Sequence, residues 1–272
     1  MIPRDIKRRP IGVFDSGIGG LTVLAEIARS LPNEETIYLG DTARVPYGSK
    51  SKETIIRYAS EVADFLTSKD VKLIVVACNT ASAYALAELK AGLDIPVIGV
   101  IEPGAKAATT ATKTGRIGVI GTEGTIKSSA YCGAIKSLNP KITTYTQACP
   151  LFVPLVEEGW ADDEVTAIVA GRYLSGLKEH EIDTLVLGCT HYPLLKDTIA
   201  SVMGPGVQLI DSAQATADEV AKALVAFGIA NPDKTGAVHS FFVTDSPQRF
   251  VTVGKRFFGL GLKTAELAVV GS

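Results

Sequence analysis

Short apolar runs alternate with longer amphipathic segments along most of the chain. The runs are rich in valine, isoleucine and leucine, as in residues 73–77 and 185–188. Runs without polar alternation are typical of strands buried on both faces of a parallel sheet, and the amphipathic segments are typical of the helices that cover it. The pattern therefore predicts an α/β fold.

Two of the predicted strands end in the same way. Each stops at a cysteine that is followed by small polar residues, Cys78 by Asn79 and Thr80, and Cys189 by Thr190 and His191. Open α/β sheets bind their ligands at the carboxyl ends of the strands. Both thiols are therefore predicted to lie at such an edge.

An internal repeat surrounds these two strands. Three strand ends recur in the same order, separated by roughly 106 to 111 positions: residues 11–17 with 117–123, 73–80 with 185–191, and 100–103 with 209–212. We expect two similar open-sheet α/β domains related by pseudo-symmetry, with the active site in the cleft between them. The expected domains are residues 1–101 plus 212–272, and residues 102–211. The tail after residue 211 is expected to complete the first sheet.

Composition limits the function classes. The chain has 272 residues and a net charge of −2, which argues against a nucleic-acid binder. No apolar run approaches the ~20 residues of a membrane span. The basic leader, residues 1–10, lacks the apolar stretch of a signal peptide, so a cytoplasmic protein is expected. The four cysteines form no Cys-x-x-Cys pair, and Cys132 and Cys149 are expected to be small buried hydrophobes.

Polar turns follow other predicted strands. Asp15 and Ser16 begin a Gly-rich turn before a helix, where free N–H groups and the helix dipole suit a carboxylate or phosphate. The glycine spacing does not match the dinucleotide fingerprint, and no P-loop is present. Residues 41–48 contain a Pro-Tyr-Gly turn that is expected to bring an N–H group and a phenol to the same edge. These turns predict a site for a small polar ligand without naming it.

Four interpretations of the thiols compete. Each cysteine could be structural, or Cys78, Cys189 and His191 could bind a metal, although closed zinc sites need about four ligands. One thiol with a histidine base would suit acyl transfer. A symmetric pair of acid/base thiols would suit racemisation or epimerisation. The last interpretation best explains the two similar settings, and both thiols are expected at helix N-termini, which lower thiol pKa.

Four motifs carry a resemblance to a known family: GVFDSGIGGLTVL at residues 12–24, DTARVPYG at 41–48, VACNTAS at 76–82 and LGCTHYP at 187–193. Together they resemble the glutamate racemases, the cofactor-independent branch of the aspartate/glutamate racemase superfamily. The resemblance covers nearly the whole chain, and the four motifs occur in the same order as in the family. No cofactor and no metal are expected. No lysine ends a strand beside a phosphate-binding loop, as pyridoxal phosphate would require.

The resemblance implies a role for individual residues. Cys78 and Cys189 correspond to the acid/base thiols that act on the D- and L-enantiomer, respectively. Asp15 corresponds to the carboxylate near the first thiol, and Glu157 and His191 to the polar partners of the second, with Glu158 as an alternative to Glu157. The substrate-binding residues it implies are Asp15, Ser16, Tyr47, Gly48, Asn79, Thr80, Thr122, Thr125, Thr190 and His191.

The resemblance also implies partners and a physiological role. It implies that the substrates are L- and D-glutamate, that the protein forms a homodimer, and that its role is to supply D-glutamate for bacterial peptidoglycan. Activation by a cell-wall precursor and contact with DNA gyrase occur in some members, and no feature of this sequence requires either. A racemase or isomerase for aspartate, hydantoins or maleate, and a two-lobed binding protein without catalysis, remain alternatives.

Overall fold

The chain passes from one folding unit to a second and back again, with crossings after Val100 and after Ser212. The structure is a computed structural model that describes residues 6–233, 236–259 and 261–271. The first five residues of the basic leader lie outside the described residues. From Ile6 to Arg8 the leader forms a short 3-10 turn.

Helices and strands alternate throughout both units. The first unit begins with β1 (Ile11–Asp15), α1 (Leu21–Ser30), β2 (Thr36–Gly40), α2 (Lys52–Ser68), β3 (Leu73–Val76), α3 (Asn79–Tyr84), α4 (Leu86–Gly92) and β4 (Val97–Gly99). The second unit contains α5 (Ile101–Ala111), β5 (Arg116–Gly121), α6 (Glu123–Lys127), α7 (Ala130–Leu138), β6 (Thr143–Ala148), α8 (Phe152–Glu158), α9 (Glu164–Glu179), β7 (Thr184–Gly188), α10 (Lys196–Met203) and β8 (Gln208–Ile210). The chain then returns to the first unit with α11 (Ala213–Ala226), β9 (His239–Val243), α12 (Pro247–Phe258) and β10 (Glu266–Leu267).

Each unit is built on its own parallel sheet. The first sheet has the strand order β10-β9-β2-β1-β3-β4, and the second has the order β6-β5-β7-β8. Every strand pair in both sheets is parallel. The predicted α/β class with two similar open sheets is confirmed, and the C-terminal strands β9 and β10 extend the first sheet beyond β2.

The two sheets share a topology and a register. In each, the first strand of the unit lies between the second and the third, so the order β2-β1-β3-β4 corresponds to β6-β5-β7-β8. Phe14 of β1 pairs with Val76 of β3, and Ile120 of β5 pairs with Leu187 of β7. Cys78 lies two residues after Val76, and Cys189 lies two residues after Leu187. The two thiols therefore occupy corresponding positions, each beside the switch point where open sheets bind ligands.

Helix α2 shows how the pattern of apolar residues builds the first core. Ser51 caps its N-terminus by accepting a hydrogen bond from the Thr54 amide at 3.3 Å. Its buried residues recur at helical spacing, and they pack against the faces of β1 and β2: Ile55, Ala59, Val62, Ala63 and Leu66. Helices α1, α11 and α12 pack together as a separate group in the same unit.

Two expectations differ from the structure in detail. Cys132, on α7, is only partly buried, because it does not lie on the face that carries the buried Tyr131 and Ile135. The last strand, predicted over residues 265–270, is limited to Glu266–Leu267 at the sheet edge. Within the ranges that the structure describes, no helix is long and apolar enough to cross a bilayer.

A carboxylate organises the loop before β5. Asp183 accepts hydrogen bonds from the Thr112 hydroxyl at 2.6 Å and from the backbone amides of Lys113 and Thr114 at 2.7 and 2.6 Å. Burial acts against ionisation, but these hydrogen bonds outweigh it and hold the pKa of Asp183 well below its ordinary value.

We predict that Asp183→Asn lowers the free energy of unfolding by about 1–2 kcal/mol at pH 7, because the backbone amides of Lys113 and Thr114 lose their charged acceptor. A lowered carboxyl pKa stabilises the fold above the unfolded pKa, so the difference from wild type should shrink as the pH falls below about 4. Urea unfolding at both pH values measures this effect. Asp162→Asn, at an exposed position of the same unit, is the control. Equal stability of Asp183→Asn and wild type at pH 7 would contradict the prediction.

Candidate active site

Cys78 lies at the carboxyl edge of the first sheet and caps α3. Its Sγ accepts a hydrogen bond from the Ala81 amide at 3.5 Å and lies 3.7 Å from the Ser16 hydroxyl oxygen. The residue is 5% exposed. Since Ser16 follows β1 and Cys78 follows the neighbouring β3, parallel pairing of these two strands brings them together.

Burial determines the acidity of this thiol. Desolvation, and next the negative charge of Asp15, raise the pKa of Cys78 to about 12, although hydrogen bonds from Ala81 and Ser16 act in the opposite direction. The expectation that a helix N-terminus would lower this pKa is therefore wrong. A single amide at the start of the short helix α3 does not compensate for the loss of water. In the free protein Cys78 is a protonated thiol.

Asp15 is held in place by a tightly packed turn. Its Oδ2 accepts a hydrogen bond from the Gly17 amide at 2.9 Å, and the Tyr38 hydroxyl donates to the Gly17 carbonyl at 2.9 Å. A Cβ atom at Gly20 would lie only 2.5 Å from the Cβ of Asp15. Only glycine fits at position 20, and this close approach brings the start of α1 against the carboxylate-bearing turn.

The loop after β2 reaches the same edge of the sheet. Tyr47 and Gly48 begin a 3-10 turn that packs against α3, where Asn79 and Thr80 are the first two residues and are buried. The Tyr47 phenol is 1% exposed and donates a hydrogen bond to Asp41. Burial and the Asp41 charge raise its pKa. The phenol therefore lies at this edge as expected but is hydrogen-bonded to Asp41 and closed to solvent, and a substrate contact of Tyr47 stays a prediction.

In the second unit, a histidine connects the other thiol to a carboxylate. Cys189 Sγ lies 3.9 Å from His191 Nδ1, and His191 Nε2 lies 3.0 Å from Oε1 of Glu157. Cys189 is 7% exposed. A 3-10 turn, Tyr192–Leu195, precedes α10, so Cys189 does not cap an α-helix as Cys78 does. Glu157 is partly buried on α8, whereas the neighbouring Glu158 is exposed, and so it is Glu157 that contacts the histidine.

Two threonines close the carboxyl end of β5. Thr122 caps α6 by accepting a hydrogen bond from the Thr125 amide at 3.2 Å, and the two hydroxyl oxygens lie 3.1 Å apart. Thr190, which stands between Cys189 and His191 in the sequence, is also buried. Within the second unit, the structure thus brings Thr122 and Thr125 to the end of β5, and Cys189, Thr190 and His191 to the end of the adjacent β7.

Some residues that support the first site were not identified from the sequence. Asp41 is part of a quoted motif but had no assigned role, and Thr244, which donates to it at 2.9 Å, belongs to a tail without any motif. The sequence signals for Asp41 were its place directly after a predicted strand and its membership of the motif at residues 41–48. Across the described ranges, no group of three or more His, Cys, Asp or Glu is arranged to hold a metal ion.

Each unit thus places a buried thiol beside an ionisable or polar partner at the carboxyl edge of a parallel sheet. Such groups can exchange protons with a bound ligand. The sequence profile of the Asp/Glu/Hydantoin racemase family matches residues 11–220. The chain belongs to this family. The membership predicted from the four motifs is confirmed.

Individual relatives cover nearly the whole chain. The glutamate racemase of Geobacter metallireducens is 59% identical over 251 residues, which are 92% of this chain and 93% of that protein. The crystal structure of the glutamate racemase isoform RacE1 from Bacillus anthracis has a TM-score of 0.92 at 43% identity, and covers 97% of this chain and 98% of its own. The glutamate racemase of Francisella tularensis, solved in complex with D-glutamate, has a TM-score of 0.90 at 41% identity with the same coverage.

The raised pKa of Cys78 predicts low reactivity towards alkylation, because the thiolate is the reacting form. At pH 8 and without ligand, iodoacetamide should modify the partly exposed Cys132 first, while Cys78 and the buried Cys149 react slowly. Labelling of Cys78 should increase as the pH is raised towards 10. Peptide mass spectrometry over a time course measures the three rates. Modification of Cys78 as fast as Cys132 at pH 8 would contradict the prediction.

Proposed function

We propose that this chain is a glutamate racemase that interconverts L- and D-glutamate by proton transfer between two cysteines, without a cofactor. The observation that carries the proposal is the occurrence of Cys78 and Cys189 at corresponding register positions of two sheets with the same topology. Inverting a stereocentre needs two similar groups on opposite faces of one carbon. Acyl transfer and a single structural thiol leave the second cysteine without a role.

The proposed reaction is balanced within the pair of thiols. From L-glutamate, the Cys189 thiolate takes the α-proton, and the electron pair of the broken C–H bond stays on the carbon. The Cys78 thiol then donates its proton to the opposite face, which yields D-glutamate, a Cys189 thiol and a Cys78 thiolate. The reverse reaction begins with the Cys78 thiolate and D-glutamate.

The electrostatic setting of Cys78 supports its role as the proton donor towards D-glutamate. Its raised pKa keeps the thiol protonated in the free protein. The same burial makes the thiolate a stronger base when the reaction runs in the opposite direction. This matters because the α-proton of an amino acid is weakly acidic, and proton transfer is fastest when donor and acceptor are closer in pKa. The Asp15 charge strengthens this effect.

His191 and Glu157 support the role of Cys189 as the base for L-glutamate. With Nε2 of His191 donating to Glu157, Nδ1 is placed to accept the proton of Cys189, and the thiolate left by that transfer is the proposed base. The carboxylate in turn stabilises the imidazolium that results. Glu157 acts through His191 and is therefore a positioning residue in this scheme.

The remaining residues are proposed to bind the substrate. In the first unit these are Asp15 and Ser16, the backbone of Tyr47 and Gly48, and Asn79 and Thr80. In the second unit they are Thr122, Thr125, Thr190 and His191. Hydroxyl and amide donors at sheet edges suit the two carboxylates of glutamate, and donors fixed before the reaction stabilise charge that develops at the α-carbon.

The physiological role and the partners remain predictions. We propose that the product D-glutamate serves peptidoglycan synthesis, and that the chain acts in the cytoplasm as a homodimer. Neither an activator from cell-wall precursors nor a gyrase contact is tied to any described residue.

Deuterium incorporation tests the two-base reaction. Each enantiomer of glutamate is incubated with the protein in deuterated water, and α-proton exchange is followed by NMR while circular dichroism follows racemisation. We expect early deuterium mainly in the product enantiomer, because the proton taken by one thiol is not returned to the same face. Equal early labelling of substrate and product would indicate one shared base, and no racemisation would refute the proposed activity.

Substitution of either thiol should stop the reaction. Cys78→Ala and Cys189→Ala should each abolish racemisation but retain binding of glutamate, which isothermal titration calorimetry measures. Cys132→Ala, a cysteine outside the site, is the control and should retain wild-type activity. Racemisation at a near wild-type rate by either site variant would exclude the assignment of the two bases.

Glu157→Gln tests the histidine relay. We expect kcat to fall by about 10- to 100-fold, at the lower end of general acid–base effects, because the amide cannot stabilise an imidazolium. Glu158→Gln changes the exposed neighbour in the same way and should leave kcat unchanged. Similar kcat values for the two variants would show that Glu157 does not assist Cys189.

A further inference from the structure

The hydroxyl of Thr244, the residue after β9, bonds to the loop after β2. Thr244 donates from Oγ1 to Oδ1 of Asp41 at 2.9 Å, and the same oxygen accepts a hydrogen bond from the Ala43 amide at 2.9 Å. The next residue pair repeats the connection. The Thr42 hydroxyl donates to the Asp245 carbonyl at 2.6 Å and accepts from the Asp245 amide at 2.8 Å.

Asp41 passes this connection on to the turn that carries Tyr47 and Gly48. Its carboxylate is fully buried and accepts hydrogen bonds from Thr244, from Nε of Arg44 and from the Tyr47 phenol. A buried carboxylate is tolerated only when donors surround it, so removal of one donor disturbs the positions of the others. The carboxylate thus joins both ends of the loop 41–47 to β9.

Arg44 fixes the middle of the loop to α2. It forms ion pairs with Asp41 and with Glu61 of α2, and its guanidinium lies over the ring of Tyr58 at 4.2 Å from the centroid. Partial burial disfavours its charge, but these hydrogen bonds outweigh that effect and raise the pKa of Arg44. The loop is therefore held on one side by α2 and on the other side by β9.

Thr244 cannot itself reach a ligand that is bound at Cys78. The strand order places β9 beside β2, followed by β1 and then β3. With strands spaced about 4.8 Å apart, β9 and β3 are roughly 14 Å apart. The Thr244 side chain can therefore influence a substrate near Cys78 only indirectly, through its contacts with Asp41 and with the Ala43 amide.

We propose that Thr244 and Asp41 are positioning residues of the racemase site. Together they hold the Tyr47–Gly48 backbone in the orientation that binds the substrate, with the Tyr47 phenol as a structural anchor. This inference rests on the proposed function. It assigns the C-terminal segment, which lacks a motif, an indirect part in substrate affinity, exerted through Asp41 and the loop.

Thr244→Val tests the proposal because valine has the same shape but neither donates nor accepts. We expect KM for glutamate to rise about tenfold, which corresponds to about 1.4 kcal/mol, with kcat within about threefold of wild type. A variant that is only less stable would instead lower the active fraction and kcat, with KM unchanged. Thr244→Ser restores the hydroxyl and should restore KM. Thr252→Val removes an exposed hydroxyl of α12 and is the control.

Hydrogen–deuterium exchange gives a readout that does not depend on activity. In Thr244→Val, amides of residues 42–48 should exchange faster than in wild type, while those of α2 remain unchanged. Unaltered exchange, or faster exchange with an unaltered KM, would overturn the positioning role and leave the proposed function intact. Absence of glutamate racemisation by the wild-type protein would refute the proposed function itself, and with it the inference.

Discussion

Parallel pairing of β1 with β3, and of β5 with β7, is the constraint on which the rest of the molecule depends. Parallel hydrogen bonding aligns the carboxyl ends of adjacent strands, so the residues that follow each strand meet at one edge of the sheet. In the first unit this brings Ser16 to 3.7 Å from Cys78. In the second it places the Thr122 turn beside Cys189. The candidate site residues at either edge are therefore mostly the first few residues after a strand.

The two thiols have different neighbours despite their corresponding positions and similar burial. Cys78 caps a helix beside Asp15, and desolvation together with that charge raises its pKa. Cys189 precedes a 3-10 turn and lies beside His191, which contacts a carboxylate. Two sheets of the same topology thus place different groups beside the two thiols. The Asp15 carboxylate beside Cys78 makes its thiolate a stronger base, and His191 beside Cys189 can accept a proton. A reaction that runs in both directions through two different thiols is compatible with this asymmetry.

Local pattern was sufficient for the architecture and for the positions of the thiols. Uninterrupted apolar runs indicated buried parallel strands, and the repeated order of strand ends indicated two similar sheets. The motif around Cys189 included His191, and Glu157 was one of two adjacent candidates. The sequence pattern was wrong about the burial of Cys132 and the acidity of Cys78, because exposure to solvent and nearby charges depend on how the elements pack together. No signal at all pointed to Thr244, which lies about 200 positions from Asp41 in a tail whose pattern indicates only a strand.

The sequence by itself determined the order of elements, the family and the positions of the two candidate thiols at strand ends, since these follow from apolar periodicity and from residues adjacent in the chain. The tertiary structure alone decided how deeply each side chain is buried and which partners it contacts. Those properties depend on water exclusion and on charges brought within a few ångströms by packing. Thr244 beside Asp41, and Asp15 beside Cys78, exist as pairs only after the strands have assembled into a sheet.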